Sequence, residues 1–293
     1  MSTQPIDLSG IPETDARKGR SAGSLLLSGV IHVLLILAVI FALLPVALAF
    51  LASFKSLFDF YDNPLGLPAT WEWRNYTSVW REAHIAEYAR NSVIVTFISV
   101  PLIVILACLA GYGLTRYKFR FSRTIYLYFL AGLLIPIQLT ILPSLMQMKA
   151  LHLVNTHAGL ITLYTALGLP FSVFLMAGFM NTMPGELAEA ARLDGAGELR
   201  AFWDVVVPLT KPALATIAIL NGVTIWNEFF LALILSPGTP TLQVGINNLR
   251  GYYSTEWGYI FAGVMVAALP VILAYVLLTK QFIRGLTAGA LKG

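Results

Sequence analysis

"EAARLDGAGELRAFWDVVVPLTKP", residues 189–212, interrupts a chain that is otherwise strongly apolar. Over residues 181–212 the acids Glu186, Glu189, Asp194, Glu198 and Asp204 outnumber the bases Arg192, Arg200 and Lys211. So many charges cannot cross a hydrocarbon core, where each costs several kcal/mol. The segment is nevertheless regular. Pro184 suits a first helical turn and Glu186 the positive end of a helix dipole, so "ELAEAARL" reads as a helix of about ten residues, roughly 15 Å long. Asp194-Gly195 is a stop signal, with Gly195 able to take the left-handed conformation that ends helices. Ala190, Ala191, Gly195 and Ala196 keep one part small, so another backbone can come close. Phe202, Trp203 and Val205 to Val207 give the second half a bulky apolar face, and Pro208 and Pro212 close the unit. Two readings stand: a helix lying on the bilayer, or a helix docking on a protein. Surface helices face anionic lipid with Lys and Arg; the excess of acid here favours a protein.

Outward from this stretch, composition sets the class. Of 293 residues, 57% are hydrophobic and 12% charged, where soluble domains carry roughly 25% charged residues. Mean hydropathy is +0.75. A spanning helix needs about 20 mostly apolar residues, with its backbone satisfied internally. Suitable windows lie at 21–54, 91–115, 124–148, 149–186 (most apolar at 160–180), 213–235 and 257–279. An all-α, polytopic membrane protein with six transmembrane helices follows. The first window follows Arg17, Lys18 and Arg20 and contains "ALAFLAS", as a signal peptide would. Its apolar run exceeds the roughly 7–15 residues of such a segment, so an uncleaved helix is expected. The expected division is a tail at 1–23, a transmembrane domain at 24–280 that includes the polar segment 181–212 and a loop at 236–256, and a tail at 281–293. Pro45, Pro101, Pro136, Pro170 and Pro270 punctuate the spans; the fifth has Gly222 instead. Lone Cys108, in an apolar run, excludes a disulfide framework and reads as a buried thiol. The net charge of +4 comes with no basic cluster interleaved with aromatics, so nucleic acid is not an expected partner.

Lys and Arg set the orientation. With the N-terminal tail inside, 13 of the 19 fall in cytoplasmic segments, and "RYKFRFSR", residues 116–123, carries four positive charges and no acid. Both tails are then cytoplasmic. The first outside loop carries Trp71, Trp73, Tyr76 and Trp80. Such aromatics anchor at headgroup level or contact an outside partner.

The polar segment resembles the EAA loop of binding-protein-dependent ABC importer permeases, the MetI-like architecture. That pattern is E-A-A, three residues, Gly, nine residues, an Ile-like position, one residue, an apolar residue and Pro. Glu189, Ala190, Ala191, Gly195, Val205, Val207 and Pro208 fill it in register, with Val for Ile at 205 and Val for Leu at 207. "KQFIRGLTAGALKG" (280–293), "WNEFFLALIL" (226–235) and "LHLVNTHAGLI" (151–161) resemble the smaller permease of maltose-type carbohydrate importers. The first twenty residues carry no resemblance. The resemblance implies a coupling helix seated in a cytoplasmic ATPase subunit, with Glu189, Ala190, Ala191, Asp194, Gly195, Ala196 and Pro208 at the contact. It implies a second, homologous permease, a dimer of ATP-binding subunits that holds ATP and Mg, and an extracytoplasmic solute-binding protein reached by the loop at 236–256. It places the chain in a bacterial cytoplasmic (inner) membrane. Gly285, Leu286, Thr287, Ala288 and Gly289 would lie near the ATPase dimer, unless the tail is a frayed, solvated end.

No G-x-x-x-x-G-K-[ST] phosphate loop, H-E-x-x-H or cysteine pair occurs, so no cofactor or metal is expected in this chain and ATP hydrolysis belongs to another. His32, His84, His152 and His157 read as solvated or packed. The candidate translocation path is in the fifth span, where Asn221, Thr224 and Glu228 share one face at i, i+3 and i+7 and Asn227 borders it. An ionisable group inside a span faces the bundle interior or water. The stripe either lines a path or packs on a neighbouring helix with Glu228 paired there. Few charges in the spans suit a neutral polar solute, consistent with a mono- or oligosaccharide. A secondary transporter coupling ions through Glu228 is the alternative, opposed by the register of the polar segment. A membrane-embedded enzyme is opposed by the missing nucleophile–base or metal constellation.

Overall fold

The computed structural model describes residues 22–81, 83–117, 119–183, 193, 195–249 and 256–290, with backbone alone at 22, 24, 25 and 280–290. Regular structure among them is entirely helical. Four helices are long and apolar enough to cross a membrane, or up to six if each of two bent pairs forms one span. Five of these fall on windows expected; the second bent pair, Glu198–Leu209 with Lys211–Trp226, only overlaps the fifth window, 213–235.

Helix α1, Ala22–Ala52, belongs largely to a compact unit of its own, residues 1–48. It carries no acid in its first turn, no base in its last, and Pro45 within. Leu26, Phe41 and Leu43 are exposed on different sides of it. A helix apolar all round is suited to lipid. At 1.5 Å per residue it exceeds the roughly 30 Å hydrocarbon core.

The second unit, residues 49–293, begins with two short helices, α2 (Leu57–Asp62) and α3 (Arg74–Arg81). Asn75, buried, donates to Ser53 O (2.9 Å) and Lys55 O (3.0 Å) and so ties α3 to residues 53–55 of the same unit. Phe54 is ringed by Trp71, Trp73 and Tyr76, at centroid distances of 5.0, 4.7 and 5.2 Å. The aromatics of this loop therefore divide: Tyr76 packs inward, while Trp71, Trp73 and Trp80 also keep exposed faces.

The core is the pairing of α4 (Ile85–Arg116) with α7 (His157–Asn181). Val95, Ile103 and Ala107 of α4 and Val173, Met176 and Ala177 of α7 are buried. Small residues permit the close approach, as lipid-embedded helices require. A methyl on Gly111 would meet Met176 Cγ at 2.7 Å, and one on Gly168 would meet Ile103 Cδ1 at 2.6 Å. Between them run α5 (Ser122–Gly132) and α6 (Ile137–Ala150), bent by 103°. The third window, 124–148, is therefore two helices. The residue before a proline is driven out of the helical region, and Pro136 itself sits at ψ 130°, extended.

After α7 come α8 (Glu198–Leu209), α9 (Lys211–Trp226), α10 (Phe230–Leu235), α11 (Leu242–Asn247) and α12 (Trp257–Ala290). Helices α8 and α9 are bent by 71° beside Pro208 and Pro212. The fifth window, 213–235, is also not one helix: the chain breaks at Asn227–Phe229 between α9 and α10. Trp226 Nε1 donates to Ala267 O (3.0 Å) and fastens α9 to α12.

Hydrogen bonds sort the connections into two ends. At one end, Arg116 Nη2 donates to Met183 O (3.4 Å) and Tyr117 OH to Glu198 (2.9 Å). At the other, Asn91 bonds to His157 (3.0 Å) and to Pro240 O (2.9 Å), and Leu242 N donates to Ser92 Oγ (2.8 Å). The loop at 236–249 therefore does not stand free: its own Leu242 and Val244 are buried.

Candidate functional site

The polar segment is described from Gly195 onward, with Leu193 before it. Glu189, Ala190, Ala191 and Asp194 lie outside the described residues. Gly195 has φ +86°, the left-handed conformation expected of a helix stop. A methyl there would meet nothing within 4 Å, so this chain alone does not fill the space around it. Ala196 is half-buried and Pro208 exposed. Around Gly195 the polar segment turns apolar groups outward: Leu193, Leu199 and Trp203 are exposed, the first by 89%. Phe202 and Val206 point the other way and are buried. Residues Phe202–Val206 form a single π-helical turn, a form that recurs at functional sites. Arg200 and Asp204 pair at 3.2 Å on the exposed face, a contact worth little in water.

The second candidate is the break in the fifth span. Glu228 caps α10: Oε1 accepts from Leu231 N (2.9 Å) and Oε2 from Ala232 N (3.1 Å). Tyr164 OH of α7 also donates to Oε2, at 2.7 Å. Three donors thus converge on one carboxylate, which as an ionised group only accepts. Glu228 is paired on a neighbouring helix, and with Tyr164, Asn221 and Thr224 it lines a cavity of about 360 Å³. Gly168, Phe171 and Ile137 complete much of the wall.

Within the stripe the residues differ. Asn221 is buried, its amide donating to Ser172 Oγ (3.0 Å) and Ile217 O (2.9 Å); a methyl on Gly168 would strike its Oδ1 at 2.6 Å. Thr224 is exposed and donates to Leu220 O (2.8 Å). Asn227 does not line the cavity; it ends α9 in helical register, and its amide turns back to Val223 O (2.9 Å). Tyr164 was missed in the sequence. Its signal was available, a hydroxyl-bearing ring in an apolar span, but its partner is 64 residues away. Gly285, Leu286, Thr287, Ala288 and Gly289 continue the backbone of α12 as helix, not as a frayed end; their side chains lie outside the described residues. His157 is packed against Asn91, as one of the two readings for it held.

Residues 99–287 match the family model described as "binding-protein-dependent transport system inner membrane component". The chain is 34% identical over 266 residues to the diacetylchitobiose uptake system permease protein NgcG of Streptomyces coelicolor, covering 89% of this chain and 88% of that protein. It is 33% identical over 253 residues to the melibiose/raffinose/stachyose import permease protein MelC of Bacillus subtilis, covering 85% and 91%. Its fold matches a chain of a bacterial ABC transporter involved in import of the acidic polysaccharide alginate, with TM-score 0.80 at 24% identity over 91% of this chain and 100% of that one. Left-handed Gly195 and the wholly helical described residues agree with that assignment: the chain belongs to the binding-protein-dependent transport system inner membrane component family and is a permease subunit of an ABC importer.

Proposed function

We propose that this subunit moves a mono- or oligosaccharide across a bacterial cytoplasmic membrane, together with a second permease. An extracytoplasmic protein delivers the saccharide, and two ATPase subunits that hold ATP and Mg drive its passage. The observation that carries the reading is the similarity, over most of the chain, to permeases named for diacetylchitobiose and for melibiose, raffinose and stachyose. The cavity at the fifth-span break supports it: Tyr164, Asn221, Thr224 and Glu228 place polar groups in an otherwise apolar wall. Carbohydrate sites are built from few placed polar groups on apolar surface. In this reading residues 181–212 face the cytoplasm, with 1–23 and 281–293, as the distribution of Lys and Arg favours. Residues 24–280 form the membrane domain, with 236–256 on the outer side.

Docking on the ATPase falls to Glu189, Ala190, Ala191, Asp194, Gly195, Ala196 and Pro208. The open space over Gly195 and the exposed Leu193 and Trp203 support it. Asp tolerates left-handed backbone better than most residues, so Gly195→Asp tests close approach more than strain. Gly195→Asp is expected to insert normally and to lose at least about tenfold in ATP-driven uptake, the factor a 1.4 kcal/mol change gives. Uptake of candidate saccharides by cells, with the membrane level quantified, reads it. Normal uptake at normal levels would end the docking role of Gly195. Purification in mild detergent without any ATPase subunit would end the wider reading.

A further inference from the structure

We propose that α4 is the member through which displacement of the polar segment reaches the opposite end of the bundle, and that Glu198 is the positioning residue that engages it. The inference rests on the docking role proposed for residues 184–197. Both stems of that segment are held by the same end of α4. On the α7 side, Arg116 Nη2 donates to Met183 O (3.4 Å). On the α8 side, Glu198 Oε2 accepts from Tyr117 OH (2.9 Å) and lies 3.5 Å from Tyr112 OH. The Tyr112 ring also packs on buried Phe202, centroids 4.9 Å apart. At its other end α4 seats the 236–247 segment. Asn91 Nδ2 donates to Pro240 O (2.9 Å), Ser92 Oγ accepts from Leu242 N (2.8 Å), and Gly245 lies against the Tyr88 ring so closely that a side chain there would strike it. One helix of 32 residues, about 48 Å at 1.5 Å per residue, thus holds polar contacts at each end and packs an apolar middle on α7.

The covalent route from the same segment into the fifth span is softer. It crosses the π-turn at Phe202–Val206, the 71° bend at Thr210 and the break at Asn227–Phe229. A push along an axis is carried less well through a π-turn, a bend and a break than through α4, which stays one helix and lacks only the ladder bond that Pro101 removes. Movement of residues 184–197 therefore turns α4 directly and the fifth span indirectly.

Spin labels placed on Leu106→Cys of α4 and Leu269→Cys of α12, both exposed, in a Cys108→Ser background, report the test. The complex is purified whole and the interlabel distance is measured nucleotide-free and trapped with ATP. The expected result is a change of several ångströms on trapping. Tyr117→Phe and Glu198→Ala each shrink it, while the ATPase stays bound and active. The double variant does no worse than Glu198→Ala alone, since that variant already removes the Tyr117 link along with the Tyr112 contact. Glu198→Gln, which keeps an accepting oxygen, restores part of the change. Should Glu198→Ala fail to assemble, Tyr117→Phe removes only a hydroxyl and gives the answer alone. A full distance change in Tyr117→Phe, additive effects in the double variant, or no change between α4 and α12 without substitutions would each overturn the proposal. Absence of the ATPase from the unsubstituted complex would instead overturn the docking role beneath it.

Discussion

The third and fifth spans are both broken, and they are broken by different chemistry. Between α5 and α6 the interruption is backbone work. Leu133 and Leu134 close the last turn through bonds to Leu130 O (3.0 Å) and Ala131 O (3.1 Å), and Pro136, extended, starts the next helix with no side-chain cap. Leu134 and Ile135 are exposed there. Between α9 and α10 the interruption is held by a side chain. Glu228 takes two N–H groups of α10 and a tyrosine hydroxyl of α7, and it lines the cavity. A free N–H in hydrocarbon costs several kcal/mol, so each break must supply acceptors or omit donors. The first omits a donor by using proline. The second supplies a carboxylate, and with it a fixed position relative to α7. The second break is therefore tied to α7 by a side chain, whereas the first is closed by backbone bonds.

The largest effect that separates them is expected at Glu228. Glu228→Ala leaves Leu231 N, Ala232 N and Tyr164 OH without their acceptor, at about 1–3 kcal/mol for each buried group. The α10 start should fray, thermal stability in detergent should fall markedly, and uptake should drop by more than about tenfold. Glu228→Gln keeps one accepting oxygen, but whichever way the amide turns its N–H group faces one of the two backbone donors. It should recover part of the stability and part of the uptake. Equal stability of the Ala variant and the parent would show the break to be held by backbone alone, as in the third span.

Tyr164→Phe removes one of three donors and keeps the ring. The two backbone bonds to Glu228 persist, so the cost should be near 1 kcal/mol and uptake should fall by no more than about fivefold. A double-mutant cycle with Glu228→Gln measures the coupling across α7 and α10. Strict additivity would mean that the 2.7 Å contact holds nothing.

These two breaks also mark where sequence reasoning reaches and where it stops. The apolar windows at 91–115, 160–180 and 257–279 lie within α4, α7 and α12, because hydrocarbon length is a one-dimensional constraint. Gly195 was readable for the same reason: an Asp-Gly stop depends on local backbone. Pro136 was on the page too, but a proline inside a span kinks a helix as often as it ends one. What decides between them is packing against other helices. The Glu228 break was not readable, since "WNEFFLALIL" contains no proline or glycine and looks helical throughout. Its cause is an acceptor that stabilises a broken helix only when Tyr164, far off in sequence, is beside it. The clamp of Tyr112 and Tyr117 on Glu198 was hidden in the same way, as a pairing of residues from separate segments.

The smallest effect is expected at the break that proline makes. Pro136→Ala returns a backbone N–H and frees Ile135 to adopt helical angles. The added donor then favours a continuous third span, because a helix is the cheapest way to satisfy it in lipid. The 103° bend should relax, read as a longer distance between labels at exposed Leu127 and Met146. Uptake should change by less than about twofold, a difference of about 0.4 kcal/mol. Ile137 is the weak point of that expectation, because it lines the cavity at the foot of α6. If straightening withdraws Ile137 and uptake falls as far as in Glu228→Ala, then both breaks shape one path, and the contrast between a backbone break and a side-chain break is one of construction and not of role.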